Sequence, residues 1–347
     1  MANALDPRIA PYYESAAEVL AQSTRLARDV RNSVVRALGA RGIEQDELAL
    51  KASESRRLTG DDFIVVRASL EFSSFCRQRC SFCGMNALNK GLKRYRLNED
   101  QILSIIGSIS KLGVKDLHLA SGEDWGFKGE ALARVVTGAK ALGLEVTLVT
   151  GHRSVEDYVR FREAGADRYI LKVESTNPDV FNASRMGTEL RTRVAHLLFL
   201  RSLGFKIGTG IICGLPGQAE EDLAGDIGFL ATLRPDMASV SRFLPNPESS
   251  FRSHPEGCPD TTLNVLSLMR LHLATPGLRI PAGTTLGRRQ TDAIRHGANV
   301  VSLHVTPEEY ADQYSADRIF ERHLVEMDEI RNLSAQTGLA LRFEQQT

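Results

Sequence analysis

Apolar positions follow two different spacings in the first part of the chain. Between residues 16 and 38 they recur at the spacing of one helix face. Residues 1–60 are otherwise rich in charged side chains, so this stretch predicts an N-terminal helical extension. Residues 63–72, with the sequence FIVVRASLEF, are rich in β-branched and aromatic side chains and predict a strand.

A regular alternation of short apolar runs and helical segments occupies the rest of the chain. The predicted strands comprise residues 63–72, 115–120, 145–150, 168–173, 207–212, 238–241, 278–282 and 299–303. This repeat predicts an α/β fold with a parallel sheet, and its count favours a (β/α)8 TIM-type barrel over an open doubly wound sheet. Asn98 and Gln101 form a capping-box pattern at the start of one of its helices. We expect the barrel to span residues 61–347 and to include a C-terminal helix near residues 316–337.

The overall composition narrows the possible partners and locations. The 347 residues include 43 lysines and arginines and 43 aspartates and glutamates, so the formal net charge is zero. This balance argues against bulk electrostatic binding to nucleic acid or to an anionic membrane. The N-terminus has no apolar segment typical of a secretory signal, and no apolar run approaches the roughly 18 residues of a membrane-spanning helix. We therefore expect a cytoplasmic protein, and a monomer, without nucleic-acid or membrane partners.

Polar side chains follow nearly every predicted strand. Active sites of (β/α)8 barrels lie at the carboxyl ends of the strands, where these side chains meet. The residues at those ends are Cys76, Glu123, His152, Glu174, Cys213, Arg242, Thr284 and His304. This rim of the barrel is therefore the candidate site.

Three of the five cysteines, Cys76, Cys80 and Cys83, lie within eight residues after the first strand. An odd total and this crowding do not suit a disulfide framework. Thiolates at these spacings can converge on one metal centre, and no nearby fourth cysteine or histidine completes a closed zinc site. Three ligands with one open position suit a [4Fe–4S] cluster, and structural zinc is the alternative.

The Cys-x3-Cys-x2-Cys pattern, with Phe82 before its last cysteine, resembles the signature of the radical S-adenosylmethionine (SAM) superfamily. The resemblance implies that the three cysteines hold a [4Fe–4S] cluster and that SAM binds the free iron through its amino and carboxylate groups. It also implies reductive cleavage of SAM to methionine and a 5′-deoxyadenosyl radical, which removes hydrogen from a substrate. An electron donor such as flavodoxin or ferredoxin would reduce the cluster, and Phe82 would lie near the adenine.

Ser121, Gly122 and Glu123, followed by Asp124, resemble the GGE element of this superfamily. In that element the backbone and the acid receive the SAM ammonium, so the resemblance implies a SAM-binding role for these residues. A carboxylate such as Glu123 is costly at a barrel mouth unless a cation matches it. The alternative is a solvated loop acid.

Glu174 and Arg193 match residues that contact the SAM ribose hydroxyls and the SAM carboxylate in the nearest relatives. A carboxylate can accept hydrogen bonds from a diol, and a guanidinium can bind a carboxylate through two hydrogen bonds. The alternative for Arg193 is a salt bridge on a helix surface. Residues 214–218, GLPGQ, follow the fifth strand, and their glycines permit a close backbone approach to the cofactor.

Further stretches resemble the group that contains the [FeFe]-hydrogenase maturase HydE, methylornithine synthase and biotin synthase. They are residues 92–97, 121–124, 164–169, 214–218, 280–282, 297–301 and 306–310, the last of which resembles HydE. Only Cys213 and Cys258 lie outside the cysteine motif, so the second cluster that biotin synthase uses for sulfur insertion is not expected. Residues 239–245 match no relative closely, which indicates a pocket adapted to its own ligand.

We expect the substrate to be small and derived from an amino acid, and the reaction to be a rearrangement or a fragmentation. Arg242 is the candidate clamp for a substrate carboxylate, and an ion pair with Glu248 or another rim acid is the alternative. Asp124 is the candidate partner of a substrate ammonium. The other candidate catalytic residues are His152, Thr284, Thr285, His304 and Tyr310. The alternative functions are HydE-type maturation of [FeFe]-hydrogenase and a zinc-stabilised binding barrel without chemistry.

Overall fold

Parallel strands form a barrel in the structure, a computed structural model that describes residues 6–23, 28–311, 313–314 and 325–343. The strands are β1 (Phe63–Ser73), β2 (Arg79–Cys80), β3 (Asp116–Ser121), β4 (Glu145–Val149), β5 (Arg168–Ile170), β6 (Arg185–Met186), β7 (Lys206–Cys213), β8 (Met237–Arg242), β9 (Val300–His304) and β10 (Ala340–Arg342). Strands β1, β3, β4, β5, β7 and β8 pair in parallel in that order.

The barrel closes through an irregular seventh segment. Single parallel bridges join Met237 to Arg279 and Pro281 to Val300, and β9 pairs in turn with β1. Pro281 has no backbone N–H and therefore cannot continue a regular ladder. This closure confirms the predicted (β/α)8 barrel, while β10 pairs with the first residues of β1.

Helices cover the outside of the barrel and connect its strands. They are α1 (Ala10–Ser23), α2 (Arg28–Leu38), α3 (Ile43–Leu58), α4 (Glu99–Lys111), α5 (Gly129–Ala141), α6 (Val155–Glu163), α7 (Pro178–Ser184), α8 (Leu190–Ser202), α9 (Glu220–Leu233), α10 (Pro259–Leu273), α11 (Gln290–Arg295), α12 (Glu308–Ala311) and α13 (Met327–Thr337). The predicted capping box opens α4, because the side chains of Asn98 and Gln101 each accept from the other residue's N–H at 2.9 Å. The described C-terminal helix begins at Met327, later than expected, and residues 315–324 lie outside the described residues.

The three N-terminal helices pack against the outer helices of the barrel. Helix α1 contacts α8 and α9, and α3 contacts α10. Ile9, Ala16, Val34 and Leu38 are buried in the main apolar core, so removal of apolar surface from water holds these helices on the barrel. Of the helices that the structure describes, none combines the length and apolar character needed to span a membrane.

Candidate active site at the barrel mouth

The cysteine loop, defined as residues 74–97, follows the carboxyl end of β1. Its short strand β2 pairs antiparallel with β6, which sets Cys80 opposite Arg185. Cys80 is buried, whereas Cys76 and Cys83 are partly exposed. In the protein without a bound cluster, burial raises the pKa of the Cys76 thiol. The three thiols therefore belong to one loop that a second strand pair anchors to the barrel.

Arg94 organises the cysteine loop, although sequence analysis did not identify it. Its guanidinium donates to the backbone oxygens of Ser74 (2.6 Å), Met85 (3.0 Å), Asn86 (2.8 Å) and Asn89 (3.1 Å). A rigid fork with five N–H donors can bridge several carbonyls in this way. The conformation of the loop is thus supported by hydrogen bonds of the protein itself.

Gly122 allows the loop after β3 to touch the cysteine loop. A Cβ atom at this position would lie 2.2 Å from the Phe75 carbonyl oxygen and 2.7 Å from Cys76 Cβ. Ser121 Oγ donates to the Gly122 carbonyl at 2.7 Å. The backbone N–H of Glu123 donates to Cys76 Sγ at 3.3 Å. The stretch that resembles the GGE element is therefore in direct contact with the candidate cluster ligands.

The carboxylate of Glu123 is buried beside the cysteine loop. Its Oε1 accepts from Gln78 Nε2 at 2.7 Å, and its Oε2 accepts from the backbone N–H of His152 at 2.9 Å. Arg77 Nε lies 3.8 Å from Oε1. Gly151 has a φ of 69°, and a Cβ there would lie 2.7 Å from Glu123 Oε2. Since Glu123 is only 5% exposed, the alternative of a solvated loop acid is wrong.

Glu174 follows the fourth barrel strand with a φ of 67°, a left-handed conformation that few non-glycine residues adopt. Its Oε1 accepts from Arg185 Nη1 at 2.9 Å, and its Oε2 lies 3.4 Å from Lys172 Nζ. Glu174 Oε2 and Arg185 Nε are buried and have no hydrogen-bond partner among the described residues. Because buried polar atoms are normally hydrogen-bonded, these two atoms suit contact with a polar ligand.

Asp226 supports the turn that follows Glu174. Its Oδ1 accepts from the backbone N–H of Thr176 at 2.5 Å and from the Thr176 hydroxyl at 2.6 Å. Gln218 Nε2 lies 3.5 Å from Asp226 Oδ2, and Gln218 Oε1 accepts from the backbone N–H of Gly214 at 2.7 Å. Burial raises the pKa of Asp226 to about 7. Asp226 thus links the loops that follow the fourth and fifth barrel strands.

Arg193 is buried in the protein, so the alternative of a surface salt bridge is wrong. Its Nε donates to the carbonyl of Lys172, and its Nη1 lies 3.3 Å from His152 Nε2. Burial lowers the pKa of Arg193 to about 10. The ring of His152 stacks on that of His196 with centroids 4.4 Å apart, and burial lowers the pKa of both imidazoles far enough to keep them neutral at pH 7.

Asp124 already has four hydrogen bonds. Arg96 donates to its two oxygens at 2.6 and 2.7 Å, Ser73 Oγ donates at 2.6 Å, and the backbone N–H of Gly126 donates at 2.9 Å. Burial raises the pKa of Asp124, but the bonds from Arg96 and Ser73 outweigh it and lower the pKa overall. Asp124 therefore fixes the cysteine loop through Arg96, which weighs against the expectation that it receives a substrate ammonium.

Arg242 is turned toward the rim of the barrel. Its backbone N–H donates to Thr285 Oγ1 at 2.9 Å, its Nε donates to the Thr285 carbonyl at 3.0 Å, and its Nη1 lies 3.5 Å from Glu256 Oε2. These contacts favour the alternative of a rim ion pair, with Glu256 rather than Glu248 as the acid. These contacts weigh against the interpretation of Arg242 as a substrate clamp.

Two aromatic candidates lie against loops of the mouth. Tyr310 stacks on Tyr95 of the cysteine loop, with ring centroids 4.7 Å apart. Phe82 packs against a small apolar cluster that consists of Val180, Ile212, Leu215 and Phe243. Phe82 therefore lies beside the loop that follows the fifth barrel strand, while Tyr310 supports the base of the cysteine loop.

A cavity of about 230 Å³ lies inside the barrel. Its polar lining includes three residues proposed from the sequence, Thr284, Thr285 and His304, and also Arg67, Ser69, Glu71, His118, Lys172, Ser239, Ser241 and Ser302. Ser69 lies opposite His118 in β3 and opposite His304 in β9. The strand register therefore places these three residues at the same height along the barrel. Burial lowers the pKa of His118 well below its usual value, which leaves the imidazole neutral.

Arg67 is a cation on the wall of this cavity with no carboxylate partner among the described residues. Its Nε donates to Ser302 Oγ at 2.8 Å, and its Nη1 lies 3.7 Å from Met237 Sδ. Asp116 lies opposite Arg67 in the β1–β3 register but is hydrogen-bonded to Arg279. Burial lowers the pKa of Arg67 to about 10. Because a charge that is partly removed from water is stabilised by an opposite charge, Arg67 suits an anionic ligand.

The residues at the mouth fit an iron–sulfur cluster and SAM. Three thiols of one loop are suitable cluster ligands, and the unsatisfied atoms of Glu174 and Arg185 suit a polar cofactor close to Cys80. No three His, Cys, Asp or Glu side chains within the described ranges converge on a single metal ion. This finding is compatible with a cluster, because its thiolates bind separate irons and stand farther apart than the ligands of one ion.

Known proteins resemble this chain in both sequence and fold. The family model for the radical SAM superfamily matches residues 70–230. The [FeFe] hydrogenase maturase subunit HydE of Thermotoga maritima is 36% identical over 267 residues, which cover 76% of each chain. The chain belongs to the radical SAM superfamily. Its cofactors are therefore a [4Fe–4S] cluster and SAM, and like other members of this superfamily it is an enzyme that needs an electron donor.

Methylornithine synthases also resemble this radical SAM enzyme, one in sequence and one in fold. The 3-methylornithine synthase of Methanosarcina barkeri is 26% identical over 272 residues, which cover 76% of this chain and 75% of the relative. A crystal structure of methylornithine synthase superposes with a TM-score of 0.80 at 22% identity and covers 93% of this chain and 97% of that one. That likeness shows the shared barrel fold.

Proposed function

We propose that Cys76, Cys80 and Cys83 hold the [4Fe–4S] cluster of this radical SAM enzyme. The support is that one loop carries all three thiols and that Arg94 and Gly122 hold this loop against the barrel mouth. The bound cluster and SAM supply a 5′-deoxyadenosyl radical by one-electron reductive cleavage. The protein's own part is to orient both groups.

Glu123, Glu174 and Arg193 are the proposed SAM contacts. Each is at most 5% exposed, and each belongs to a different strand end or helix around the same mouth. Glu174 Oε2 can accept from ribose hydroxyls. Arg193 can donate to the SAM carboxylate, because its pKa of about 10, although lowered by burial, leaves the guanidinium charged at pH 7. Ser121, Gly122 and Glu123 carry the proposed ammonium site.

The substrate is a small molecule with a carboxylate, derived from an amino acid, and the reaction is a rearrangement or a fragmentation. The observation that carries this proposal is Arg67, a half-buried cation without a carboxylate partner among the described residues, on the wall of a 230 Å³ cavity. A planar guanidinium binds a carboxylate through two parallel hydrogen bonds. Neutral His118 and the hydroxyls of Thr284 and Thr285 supply further polar contacts in this cavity.

The test compares two arginines of the barrel, Arg67 and Arg242. Reconstituted enzyme is supplied with SAM, a chemical reductant and a panel of amino acids, and substrate-dependent 5′-deoxyadenosine is measured. We expect Arg67→Met to lose at least ~100-fold in kcat/KM, since removing one partner of a buried charge pair costs roughly 3–5 kcal/mol. Arg242→Met should retain turnover. Full turnover by Arg67→Met, or its loss in Arg242→Met alone, would contradict the proposed anchor.

A HydE-type role in [FeFe]-hydrogenase maturation is the second candidate. The 36% identity to the Thermotoga maritima maturase over 76% of its length supports it. The test is complementation of a strain that lacks the maturase HydE. Recovery of hydrogenase activity would support maturation, and no recovery together with turnover of an amino acid would exclude it.

We further propose a cytoplasmic monomer with an extension over residues 1–60 and a barrel over residues 61–347. The turn between α3 and β1, near residue 60, supports this boundary. The zero formal net charge supports the absence of nucleic-acid and membrane partners. Sedimentation of the purified enzyme tests the monomer, because a dimer would sediment at twice the mass.

A further inference from the structure

The two-stranded ribbon of β2 and β6 has one buried face and one exposed face. Residues directly opposite each other in an antiparallel pair carry their side chains on the same face, and the next pair along the ribbon faces the other way. Cys80 lies opposite Arg185, and these residues are only 8% and 7% exposed. Arg79 lies opposite Met186, and both are exposed. The side chain of Arg185 therefore shares the buried face of the ribbon with the Cys80 thiol.

Further hydrogen bonds hold the two strands of the ribbon together. The backbone N–H of Ser81 donates to the Ser184 carbonyl at 2.8 Å, and Ser81 Oγ donates to the Ala183 carbonyl at 2.7 Å. Opposite residues of an antiparallel pair have Cβ atoms roughly 4.5–5.5 Å apart. The backbone thus fixes Arg185 beside Cys80, whatever the charge of either side chain.

The guanidinium of Arg185 is only partly used by the protein. Its Nη1 donates to Glu174 Oε1 at 2.9 Å, whereas its Nε is buried and has no hydrogen-bond partner among the described residues. Glu174 does not depend on Arg185 alone, because Lys172 Nζ lies 3.4 Å from its other oxygen. Burial lowers the pKa of Arg185, but the attraction of Cys80 and then that of Glu174 outweigh it and raise the pKa overall. Arg185 is therefore a charged group that can act on its neighbour Cys80.

The other buried charges nearby do not neutralise Arg185. Arg193 is a second cation of the mouth, and its Nη1 lies 3.3 Å from the ring of His152. The carboxylate of Glu123 accepts from Gln78 Nε2 and from the backbone N–H of His152. The positive charge on the buried face of the ribbon thus remains next to Cys80.

A cation at this place favours the reduced form of an iron–sulfur cluster. Reduction adds one negative charge to a group that three thiolates already make negative, and net charge is one of the properties that set the reduction potential of such clusters. The effect of a nearby charge grows as the effective dielectric constant falls, so a buried cation acts more strongly than one that faces water. Arg185 and Arg79 belong to the same ribbon, but only Arg185 meets this condition.

We propose that Arg185 raises the reduction potential of the [4Fe–4S] cluster through its charge beside Cys80. The proposal rests on the assignment of the cluster to Cys76, Cys80 and Cys83. In the step concerned, a one-electron donor loses an electron and the cluster gains it, while Arg185 stays protonated and no other bond is made or broken. Arg185 thereby sets how strong a reductant the enzyme needs, and Glu174 orients its guanidinium.

The experiment measures the midpoint potential of the reconstituted holoenzyme without SAM. Samples are poised anaerobically at stepped potentials with viologen mediators, and the electron paramagnetic resonance signal of the reduced cluster is normalised to bound iron. Arg185→Gln removes the charge, and Arg185→Lys keeps it. Arg79→Gln is the matched control, because it removes the same charge from the exposed face of the same ribbon. We expect Arg185→Gln to lower the equilibrium constant for one-electron reduction at least about tenfold, which is about 59 mV, while Arg185→Lys and Arg79→Gln stay near the wild type.

The possible results separate this role from a structural one. Partial unfolding of Arg185→Gln would reduce the bound iron and the signal but not the midpoint, and the charge-retaining Arg185→Lys should restore the potential. The shift should persist at high salt, because buried charges are screened much less than exposed ones. Equal midpoints of Arg185→Gln and wild type, or an equal shift in Arg79→Gln, would overturn the proposal.

Two further measurements identify what is wrong if the proposal fails. Weaker SAM binding by Arg185→Gln in calorimetry, together with an unchanged midpoint, would overturn the proposal and identify Arg185 as a SAM contact. A wild-type protein that binds no reducible cluster after reconstitution would instead refute the assignment of the cluster to the three cysteines.

Discussion

Replacement of Gly122 by alanine should loosen the [4Fe–4S] site of this radical SAM enzyme. The added Cβ would lie 2.2 Å from the Phe75 carbonyl oxygen and 2.7 Å from Cys76 Cβ, so both contacts fall about 1 Å or more short of van der Waals distance. Gly122 follows directly on β3, which the parallel ladder with β1 holds in place. The cysteine loop must therefore move, and Cys76 moves with it.

The size of the effect follows from the cost of overpacking. Inserting a methyl group into a closely packed site costs roughly 1–3 kcal/mol. The strain is relieved when the loop shifts, which lengthens the 3.3 Å hydrogen bond from Glu123 to Cys76 Sγ and separates the thiol from its cluster position. We therefore expect cluster retention against a chelator to weaken by about 5- to 150-fold.

The assay is anaerobic reconstitution, then iron and sulfide analysis during exposure to a chelator. Gly107→Ala is the matched control, because a Cβ at Gly107 in α4 contacts nothing within 4 Å and alanine favours a helix by roughly 1 kcal/mol. The control should keep its cluster and unfold at the same or a higher temperature. The reasoning is refuted if Gly122→Ala retains iron as long as Gly107→Ala does.

Three further predictions concern the surrounding side chains. Arg193→Ala should weaken SAM binding, measured by calorimetry, by at least ~100-fold, and the control Arg191→Ala should not, since of the two arginines only Arg193 is buried at the mouth. Equal SAM affinities of the two variants would show that SAM lies elsewhere. Asp124→Asn should lower the free energy of unfolding by roughly 1–3 kcal/mol and leave the KM for the substrate unchanged, because the hydrogen bonds of Asp124 all go to protein groups. A raised KM would support Asp124 as a substrate ligand. Asp226→Asn should remove the part of the pH dependence of the unfolding free energy that Asp226 causes. The folded pKa of Asp226, about 7, lies above the usual 3.8, so the stability that Asp226 contributes is fully present below pH 3.8. This contribution falls by up to about 1.4 kcal/mol per pH unit as the pH rises to 7, and urea unfolding with the same pH dependence in both proteins would contradict this.

The barrel was predictable because its signal is local and repeated. Each strand is a short apolar run and each helix shows its own spacing and caps, as Asn98 and Gln101 illustrate. The irregular seventh segment was also recognisable as a strand, although Pro281 leaves it with single bridges. Of the C-terminal helix predicted near residues 316–337, the structure describes Met327–Thr337, and residues 315–324 lie outside the described residues.

The roles of charged side chains were harder to predict than their positions. Arg242 and Asp124 both follow strands at the carboxyl end, as the fold requires, yet each is hydrogen-bonded to protein groups, Arg242 to Thr285 and Asp124 to Arg96. A sequence records that a charge lies near the mouth but not which neighbour from another strand will satisfy it. The role of such a charged side chain depends on a partner that is tens of residues away in the sequence. Only the folded structure therefore distinguishes a side chain that binds the substrate from one that is paired with another protein group.

Arg67 is the converse case, because the sequence did not identify it as a candidate and the structure places it on the wall of the cavity. It lies in the middle of β1 and not at its end, so the rule that active sites lie at the carboxyl ends of strands did not point to it. Its importance follows from what surrounds it: Asp116 is hydrogen-bonded to Arg279, and the described residues leave Arg67 without a carboxylate. By itself the sequence determined the barrel, the three-cysteine motif and the residues that resemble a SAM site, since each depends on spacing along the chain. Tertiary structure alone decided which of the buried charges are already paired, because pairing depends on distances between strands that the spacing of residues does not contain.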